Sequence, residues 1–316
     1  MRRWISKTLK TNVTVASAYY VFDGWRRRSR QRRGVLSTSS GSRHAALNLD
    51  ASLDYIVRVY NDYLSYAGRP ALTGRVIEIG PGDNFGVALL CLKNGASTIT
   101  AIDKYRSNRN PDQQAAIYAA LSSRFDLAAL FDGPPAEGTI RNFTYLPGMP
   151  AERFFTPQTP PYDAVISRAV LEHLDDPLLA LDGMWERLQA GGMLVHRIDF
   201  RDLGMFAGAH PLSFLTISRT VYRLMTRDTG RPNRVLLPAY RDHLIQRQWQ
   251  SRIGITRLVG VEGEFPACRW EDLPAPARDQ ALRAVAAIRP KLAAPFRSYR
   301  DEDLAVAGIV LVAEKP

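Results

Sequence analysis

The apolar positions of this chain fall into short runs that are separated by stretches with helical spacing. The run 76–79 is short and mostly β-branched, and the run 98–102 has a similar character. Between them, residues 85–93 are apolar enough for a buried helix, and Asn94-Gly95 is a typical helix terminator. Strand, helix and strand in this order predict a βαβ unit.

The same alternation continues along the chain. Apolar residues at helical intervals predict further helices at 49–66, 115–130 and 178–188. Apolar and β-branched runs predict further strands at 142–146, 162–167 and 191–195. Gly191-Gly192 is expected to end the helix before it. Helices that alternate with strands indicate an α/β fold.

A glycine turn follows the first strand. In a βαβ unit, the bare backbone of Gly80 to Gly82 lies at the carboxyl end of that strand, and Asp103 lies at the end of the next one. This arrangement binds an adenosyl ligand, with the carboxylate on the ribose hydroxyls. The alternative is an ordinary strand-to-helix turn, with Asp103 as a helix cap.

The spacing around the turn separates two ligand classes. A dinucleotide fingerprint has the form G-x-G-x-x-G, but Gly86 stands one place late for its third glycine, and Glu78 precedes the turn. A nicotinamide oxidoreductase is therefore only a minor alternative. The run Glu78-x-Gly80-x-Gly82 instead resembles the first motif of the class I S-adenosylmethionine-dependent methyltransferases.

Later segments resemble the same family. Residues 162–177 are similar to its fourth strand and the segment after it, and 191–195 to its fifth strand. The runs 253–261 and 305–313 would be strands six and seven. The resemblance implies a Rossmann-like, doubly wound, seven-stranded and mostly parallel sheet of order 3-2-1-4-5-7-6, with the last strand antiparallel.

The resemblance implies S-adenosylmethionine as the cofactor. In the family, the glycine turn passes the methionine part, the acid before it orients the loop and the amino group, and the acid after the second strand holds the ribose. It places at the cofactor Glu78, Gly80, Pro81, Gly82, Asn84, Asp103, Lys104, Met149, Ser167 and Arg168. The match is thinnest at the adenine, where the family often has an acid and this chain offers Met149 or Glu152.

Methyl transfer needs little covalent help from a protein, because the sulfonium already carries a good leaving group. The enzyme aligns the acceptor with the methyl carbon and excludes water, with a base if the acceptor is a hydroxyl. Candidates by position are His173, His196, Asp199 and His210, and a structural role is the alternative for each. His196 and Asp199 are favoured, because both follow a strand that ends over the cleft.

No metal is expected. Leu171-Glu172-His173 resembles a segment with which ubiquinone-type O-methyltransferases hold magnesium, but the earlier acid of that motif is replaced by Ala169. With only Cys91 and Cys268, the chain has neither a disulfide framework nor a cysteine-rich zinc site.

Positive charge is concentrated at the start of the chain. The formal net charge is +11, and residues 1–33 carry ten Lys or Arg against one acid, which is 10 − 1 = +9. We therefore expect a basic leader and linker, 1–45, before a methyltransferase domain, 46–316. Within that domain, 203–245 resembles the helical insertion that covers the acceptor in a bacterial, type 11-like branch met among glycan and small-molecule enzymes.

The leader contains an aromatic-rich apolar stretch, 13–25, which is too short to span a bilayer as a helix. It also lacks the small-residue cleavage site of a signal peptide. Two interpretations stand equal: a segment that lies on an anionic membrane surface, and a solvated, partly disordered tail. RNA binding comes third.

The leading hypothesis is O-methylation of a sugar hydroxyl on a small-molecule or lipid-linked glycan acceptor, in the cytoplasm and at the inner face of the cell membrane. An RNA methyltransferase is the alternative within enzymes. Strand four, however, ends in Ser167-Arg168-Ala169-Val170 rather than in Asp/Asn-Pro-Pro-aromatic, so nucleic acid is not the expected partner. An alternative from another class is a non-catalytic protein that binds the cofactor or a partner.

Overall fold

The computed structural model describes residues 10–32, 37–38 and 41–316. Part of the predicted basic leader and most of its connection to the domain lie outside the described residues. The strands of the main sheet are β1 (Gly74–Ile79), β2 (Ala96–Asp103), β3 (Phe143–Pro147), β4 (Tyr162–Arg168), β5 (Leu188–Asp199), β6 (Gln250–Leu258) and β7 (Val306–Glu314). The α-helices are α1 (Val13–Arg32), α2 (Leu49–Ala67), α3 (Gly86–Lys93), α4 (Pro111–Phe125), α5 (Ala151–Phe154), α6 (Pro177–Arg187), α7 (Arg219–Thr226), α8 (Leu237–Gln246), α9 (Ala275–Ile288) and α10 (Asp301–Ala305).

The main sheet has the strand order β3-β2-β1-β4-β5-β7-β6. β1 lies between two parallel neighbours, and Val76 stands opposite Ile99 of β2 and Ala164 of β4. Because both faces of this central strand are covered, its apolar residues form a nearly continuous run, and Val76 and Ile77 have no exposed surface.

The last strand runs against the fifth. The Gly191 amide donates to the Lys315 carbonyl, whereas the Phe200 amide donates to the Ala307 carbonyl, so residue numbers on β7 fall as those on β5 rise. The predicted α/β class, the strand order and the antiparallel last strand are therefore confirmed.

Several predicted boundaries were wrong, two of them for a clear physical reason. The helix expected at 115–130 is α4, which begins earlier because the Asn110 side chain accepts the Asp112 and Gln113 amides and Pro111 fits the first helical position. Gly191-Gly192 does not end the preceding helix but lies inside β5, where Gly191 has φ +74°. This glycine admits a kink in the strand without ending it.

The chain divides into two compact units, each described here by itself. The glycine-turn unit comprises Leu36–Arg168, Leu179–His196 and Val312–Pro316. The insertion unit comprises Met1–Val35, Ala169–Leu178 and Arg197–Leu311. The leader helix α1 thus belongs to the same unit as the insertion helices α7 and α8. No helix in the described part of the chain combines the length and the apolarity needed to cross a bilayer.

Candidate active site

The turn after β1 uses backbone conformations that favour glycine. Gly80 has φ +70° and Gly82 has φ +72°, and the Gly80 amide donates to the Ile102 carbonyl of β2 at 2.8 Å. A β-carbon on Gly82 would lie 2.8 Å from the Gly41 carbonyl oxygen. The backbone torsions at both positions, and the close contact at Gly82, therefore favour residues without a β-carbon.

Glu78 brings a buried carboxyl to the start of this turn. Its side chain is 6% exposed, and burial raises its pKa to about 8, although the Arg109 guanidinium acts in the opposite direction. Its Oε2 atom has no hydrogen-bond partner among the described residues. A buried acceptor in this state calls for a donor, which a bound ligand can supply.

Asp103 ends β2 at the same edge of the sheet. Burial raises the pKa of this carboxyl to about 6, while the Tyr105 amide, which donates to Oδ1 at 3.1 Å, lowers it. The Asp103 carbonyl accepts the Met149 amide at 3.0 Å, so the backbone brings these two predicted cofactor residues together. Beside them, the Lys104 ammonium lies 5.8 Å from the centre of the Tyr105 ring.

Arg109 ties the loop after β2 to the glycine turn. Its guanidinium donates to the Gly82 carbonyl at 2.9 Å and pairs with Glu137 at 3.0 Å. The same group lies over the Phe85 and Tyr145 rings, at 4.1 and 4.4 Å from their centres. Sequence reasoning missed this residue, because a single arginine in a loop carries no signal of its partners.

Asp83 and Asn84 have partners within the protein. The Asp83 carboxylate accepts the amides of His44 and Ala45 at 3.3 and 3.2 Å, and the Asp83 amide donates to the Gly41 carbonyl. The Asn84 side chain accepts the Gly86 amide at 2.6 Å and thereby supports the first turn of α3. Residues 41–45 therefore lie against the glycine turn.

Two further predicted cofactor residues also make internal contacts at the end of β4. Ser167 Oγ lies 2.8 Å from His196 Nδ1, and neither residue has exposed surface. Burial lowers the pKa of His196 to about 3, so the imidazole is neutral at physiological pH. Arg168 pairs with Asp62 at 2.6 Å. The favoured base candidate His196 is thus a neutral, enclosed partner of Ser167.

The insertion unit holds a second group of buried titratable side chains. Glu172 is 2% exposed, and both of its carboxyl oxygens lack a partner among the described residues. Burial and, to a smaller extent, the charge of Asp199 raise its pKa to about 8, while the nearby backbone amides of Glu172 and Asp199 act in the opposite direction. The carboxylate of Asp199 is itself bound by the Arg201 guanidinium at 2.9 Å. The Asn233 amide donates to the Glu172 carbonyl at 2.6 Å and fixes the backbone there.

Tyr240 and two histidines also belong to this unit. The Tyr240 hydroxyl is fully buried without a partner among the described residues, and burial and the nearby Glu172 raise its pKa. Burial lowers the pKa values of His173 and His210. His210 Nδ1 accepts the Leu212 amide at 3.1 Å, which is a structural role. We call Glu172, Tyr240, His173 and Asp199 the Glu172 cluster.

The family is decided by a match that covers more than half of the chain. A family model described as a methyltransferase domain matches residues 53–251. The chain belongs to this methyltransferase family. The predicted family, the predicted enzyme class and S-adenosylmethionine as the methyl donor are thereby confirmed. No curated protein sequence matches the methyltransferase significantly.

Solved structures of other methyltransferases are similar at low identity. The N-methyltransferase NodS from Bradyrhizobium japonicum, in complex with S-adenosyl-L-homocysteine, is 13% identical, with a TM-score of 0.41 over 91% of this chain and 97% of that one. A Mesorhizobium loti S-adenosylmethionine-dependent methyltransferase is 16% identical, with a TM-score of 0.39 over 85% and 100%. Haemonchus contortus phosphoethanolamine N-methyltransferase 2 is 13% identical, with a TM-score of 0.43 over 82% of this chain and 52% of that one.

The glycine-turn unit of the methyltransferase fits the methyl donor. The orphaned Oε2 of Glu78 suits the amino group, the bare backbone at Gly82 permits close approach, and the Asp103 carboxylate suits the ribose hydroxyls. These residues would hold a ligand that supplies an electrophilic methyl group. Within the described residues, no cluster of three or more His, Cys, Asp or Glu has the arrangement of a metal site.

The residues that sequence reasoning missed in the methyltransferase are Arg109, Glu172 and Tyr240. Glu172 entered the sequence analysis only as half of a metal motif, although an acid beside a histidine after strand four was an available signal. Tyr240 gave no such signal in the sequence. Its burial and the effect of Glu172 on its pKa both depend on residues that are distant in the chain.

Proposed function

We propose that the enzyme transfers a methyl group to a hydroxyl of a small-molecule or lipid-linked glycan acceptor, and that the Glu172 cluster receives this acceptor. The observation that carries the proposal is the environment of Glu172. Its carboxyl is buried, and neither of its oxygens has a hydrogen-bond partner among the described residues. A hydroxyl that donates to this carboxyl would satisfy it.

The raised pKa of Glu172 suits this carboxyl to accept a proton from such a hydroxyl. Near pH 8 the carboxyl is partly ionised, because burial and Asp199 both oppose its charge. As the acceptor oxygen forms its bond to the methyl carbon, its proton passes to the Glu172 carboxylate. The bound donor would supply the electrophilic methyl group, with cleavage of its sulfur–methyl bond and a neutral thioether as the leaving group. Glu172 would be left protonated beside the new methyl ether.

The other candidates take supporting roles in this proposal. Asp199, held by Arg201, lies beside Glu172 and contributes to the raised pKa of that carboxyl. His173 offers an unpaired Nδ1 in the same cluster, which is a second hydrogen-bonding group for the acceptor. His196 positions Ser167 from its enclosed site and does not meet the acceptor.

The experiment is a transfer assay with S-adenosylmethionine labelled in its methyl group. The acceptor panel contains sugar nucleotides, extracted polyprenyl-linked glycans, primary amines and total tRNA. We expect label on a hydroxyl acceptor, with Glu172→Gln lowering kcat by roughly 100-fold and Glu262→Gln, an exposed acid of the same unit, leaving it unchanged.

Label on amines or on tRNA alone would overturn the proposed acceptor class while leaving methyl transfer intact. Undiminished turnover of the Glu172→Gln enzyme would remove this residue as the proton acceptor. We place the reaction at the cytoplasmic face of the membrane as part of the same proposal, and extraction of the labelled product with lipid rather than with water would support it.

A further inference from the structure

The leader helix α1 is a packed element of the insertion unit. Ala16 and Tyr20 are 1% and 6% exposed, and Gly24 is buried, so one helix side is formed by residues at intervals of four. A β-carbon on Gly24 would lie 3.1 Å from the Leu224 carbonyl oxygen of α7. The helix therefore approaches α7 closely through its glycine.

Polar contacts hold α1 in this place. The Tyr20 hydroxyl donates to the Met205 carbonyl at 2.9 Å, and the Arg231 guanidinium lies 4.6 Å from the Tyr20 ring centre and pairs with Asp23. Arg28 donates to the Leu224 carbonyl at 3.3 Å. These bonds fix which side of the helix faces outward.

The outward side is apolar and aromatic. On α1, Val15, Tyr19, Phe22 and Trp25 are 42%, 50%, 57% and 63% exposed, at intervals of four, three and three residues. The neighbouring α7 buries Tyr222 and Met225 but exposes other large apolar side chains. We define the aromatic face as Val15, Tyr19, Phe22, Trp25, Val221 and Leu224. Exposed apolar groups gathered in this way mark a surface that binds something apolar.

Arginines accompany the aromatic face on both helices. α1 and α7 together contain seven arginines and one acid, and that acid, Asp23, is already paired with Arg27 and Arg231. The exposed arginines on the two helices include Arg26, Arg27, Arg219 and Arg223. The charge of this surface is therefore complementary to an anionic partner.

The chemistry of the face favours a lipid surface over a nucleic acid. Aromatic rings and arginines are stable at the headgroup level of a bilayer. Aliphatic side chains beside them are stabilised by contact with the boundary of the acyl chains. Val15, Val221 and Leu224 would gain nothing from a phosphodiester backbone. We propose that the outward sides of α1 and α7 together form one surface that binds anionic membranes. This inference is independent of the proposed acceptor.

The test is flotation of the full chain with vesicles of phosphatidylcholine alone and of three parts phosphatidylcholine to one part phosphatidylglycerol. We expect the protein to float with the anionic vesicles and to be released by added salt. Two double variants, Phe22→Ser with Trp25→Ser and Val221→Ser with Leu224→Ser, should each reduce the bound fraction at least tenfold.

The matched control is Ile245→Ser on α8, because Ile245 is 67% exposed in the same unit and outside the face. It should float like the unmodified protein. Melting temperatures of all variants should agree, since the altered side chains are exposed, and this agreement separates lost binding from lost folding.

Three results would overturn the proposal. They are absence of the protein from the anionic vesicles, equal flotation of the α7 double variant and the unmodified protein, and binding to single-stranded RNA without binding to vesicles. The second would leave α1 as the sole contact and the third would make the arginines a nucleic-acid surface. No methyl acceptor is needed, so failure here would remove the proposed membrane location and would leave the proposed acceptor class and the role of Glu172 standing.

Discussion

Glu78 and Glu172 are two buried carboxyls whose pKa values are raised to about 8, yet the charged neighbour with the larger effect on each differs in sign. For Glu78 it is the Arg109 guanidinium, which favours the ionised form. For Glu172 it is the Asp199 carboxylate, which opposes ionisation, with a smaller opposite effect from the Arg197 guanidinium. The first environment suits a carboxylate that binds a cationic group of the methyl donor, and the second suits a group that takes up a proton.

The largest expected effect is a loss of affinity for the methyl donor at the glycine turn beside Glu78. Gly82→Ala forces a β-carbon into a backbone with φ +72° and to within 2.8 Å of the Gly41 carbonyl, so the turn must move. We expect affinity for S-adenosylmethionine to fall by roughly 100-fold. Calorimetric titration measures it.

The control for this change is Gly191→Ala in the same unit. Gly191 has φ +74°, but nothing lies within 4 Å of the β-carbon position. It carries the same torsional strain without the collision. Equal affinity loss in both variants would show that the contact with Gly41 is irrelevant to donor binding.

A smaller effect is expected at Asp103. Asp103→Ala removes a carboxylate that would accept the ribose hydroxyls, and we expect about a tenfold loss of affinity for S-adenosylmethionine and for its demethylated product. Titration of the unmodified protein with NAD should give no heat. Retained donor affinity in the variant would instead assign Asp103 to capping of the following loop.

The smallest expected effect is a pH dependence of the Tm that arises from Glu78 and Glu172. A carboxyl whose pKa rises from 4.5 unfolded to about 8 folded stabilises the protein at low pH, and this stability is lost as pH increases from about 4.5 to 8. The buried histidines, whose pKa values burial lowers, change the stability in the opposite direction up to about pH 6.5. We therefore expect the Tm of the ligand-free protein to decrease by roughly 5 °C from pH 6.5 to pH 8, where the carboxyls dominate. Glu78→Gln and Glu172→Gln should each flatten the profile.

S-adenosylmethionine distinguishes the two carboxyls in this measurement. With donor present, ionised Glu78 gains a partner, so Glu78→Gln should no longer flatten the profile, whereas Glu172→Gln still should. Identical responses of both variants to the donor would contradict the assignment of Glu78 to donor binding and of Glu172 to proton uptake.

The donor side could be predicted from the sequence because its groups are encoded by local spacing. Glu78, Gly80 and Gly82 occupy one turn, and a parallel neighbour brings the end of β2 beside it. Arg109 and Tyr240 could not be predicted in the same way, since the groups that surround them lie on other elements. The spacing of Ala16, Tyr20 and Gly24 was visible, but nothing local identified α7 as the helix they pack against.

The carboxylate of Asp83 bears on where the catalytic domain can be shortened. It is 2% exposed, and its two oxygens are occupied by the amides of His44 and Ala45. A truncation that starts at residue 46 would therefore leave a buried charge without its donors at the glycine turn. One that starts at residue 36 would retain those donors but would remove α1, whose Tyr20 is buried and donates to the Met205 carbonyl of the insertion unit. The catalytic part therefore depends on residues that precede the first predicted helix.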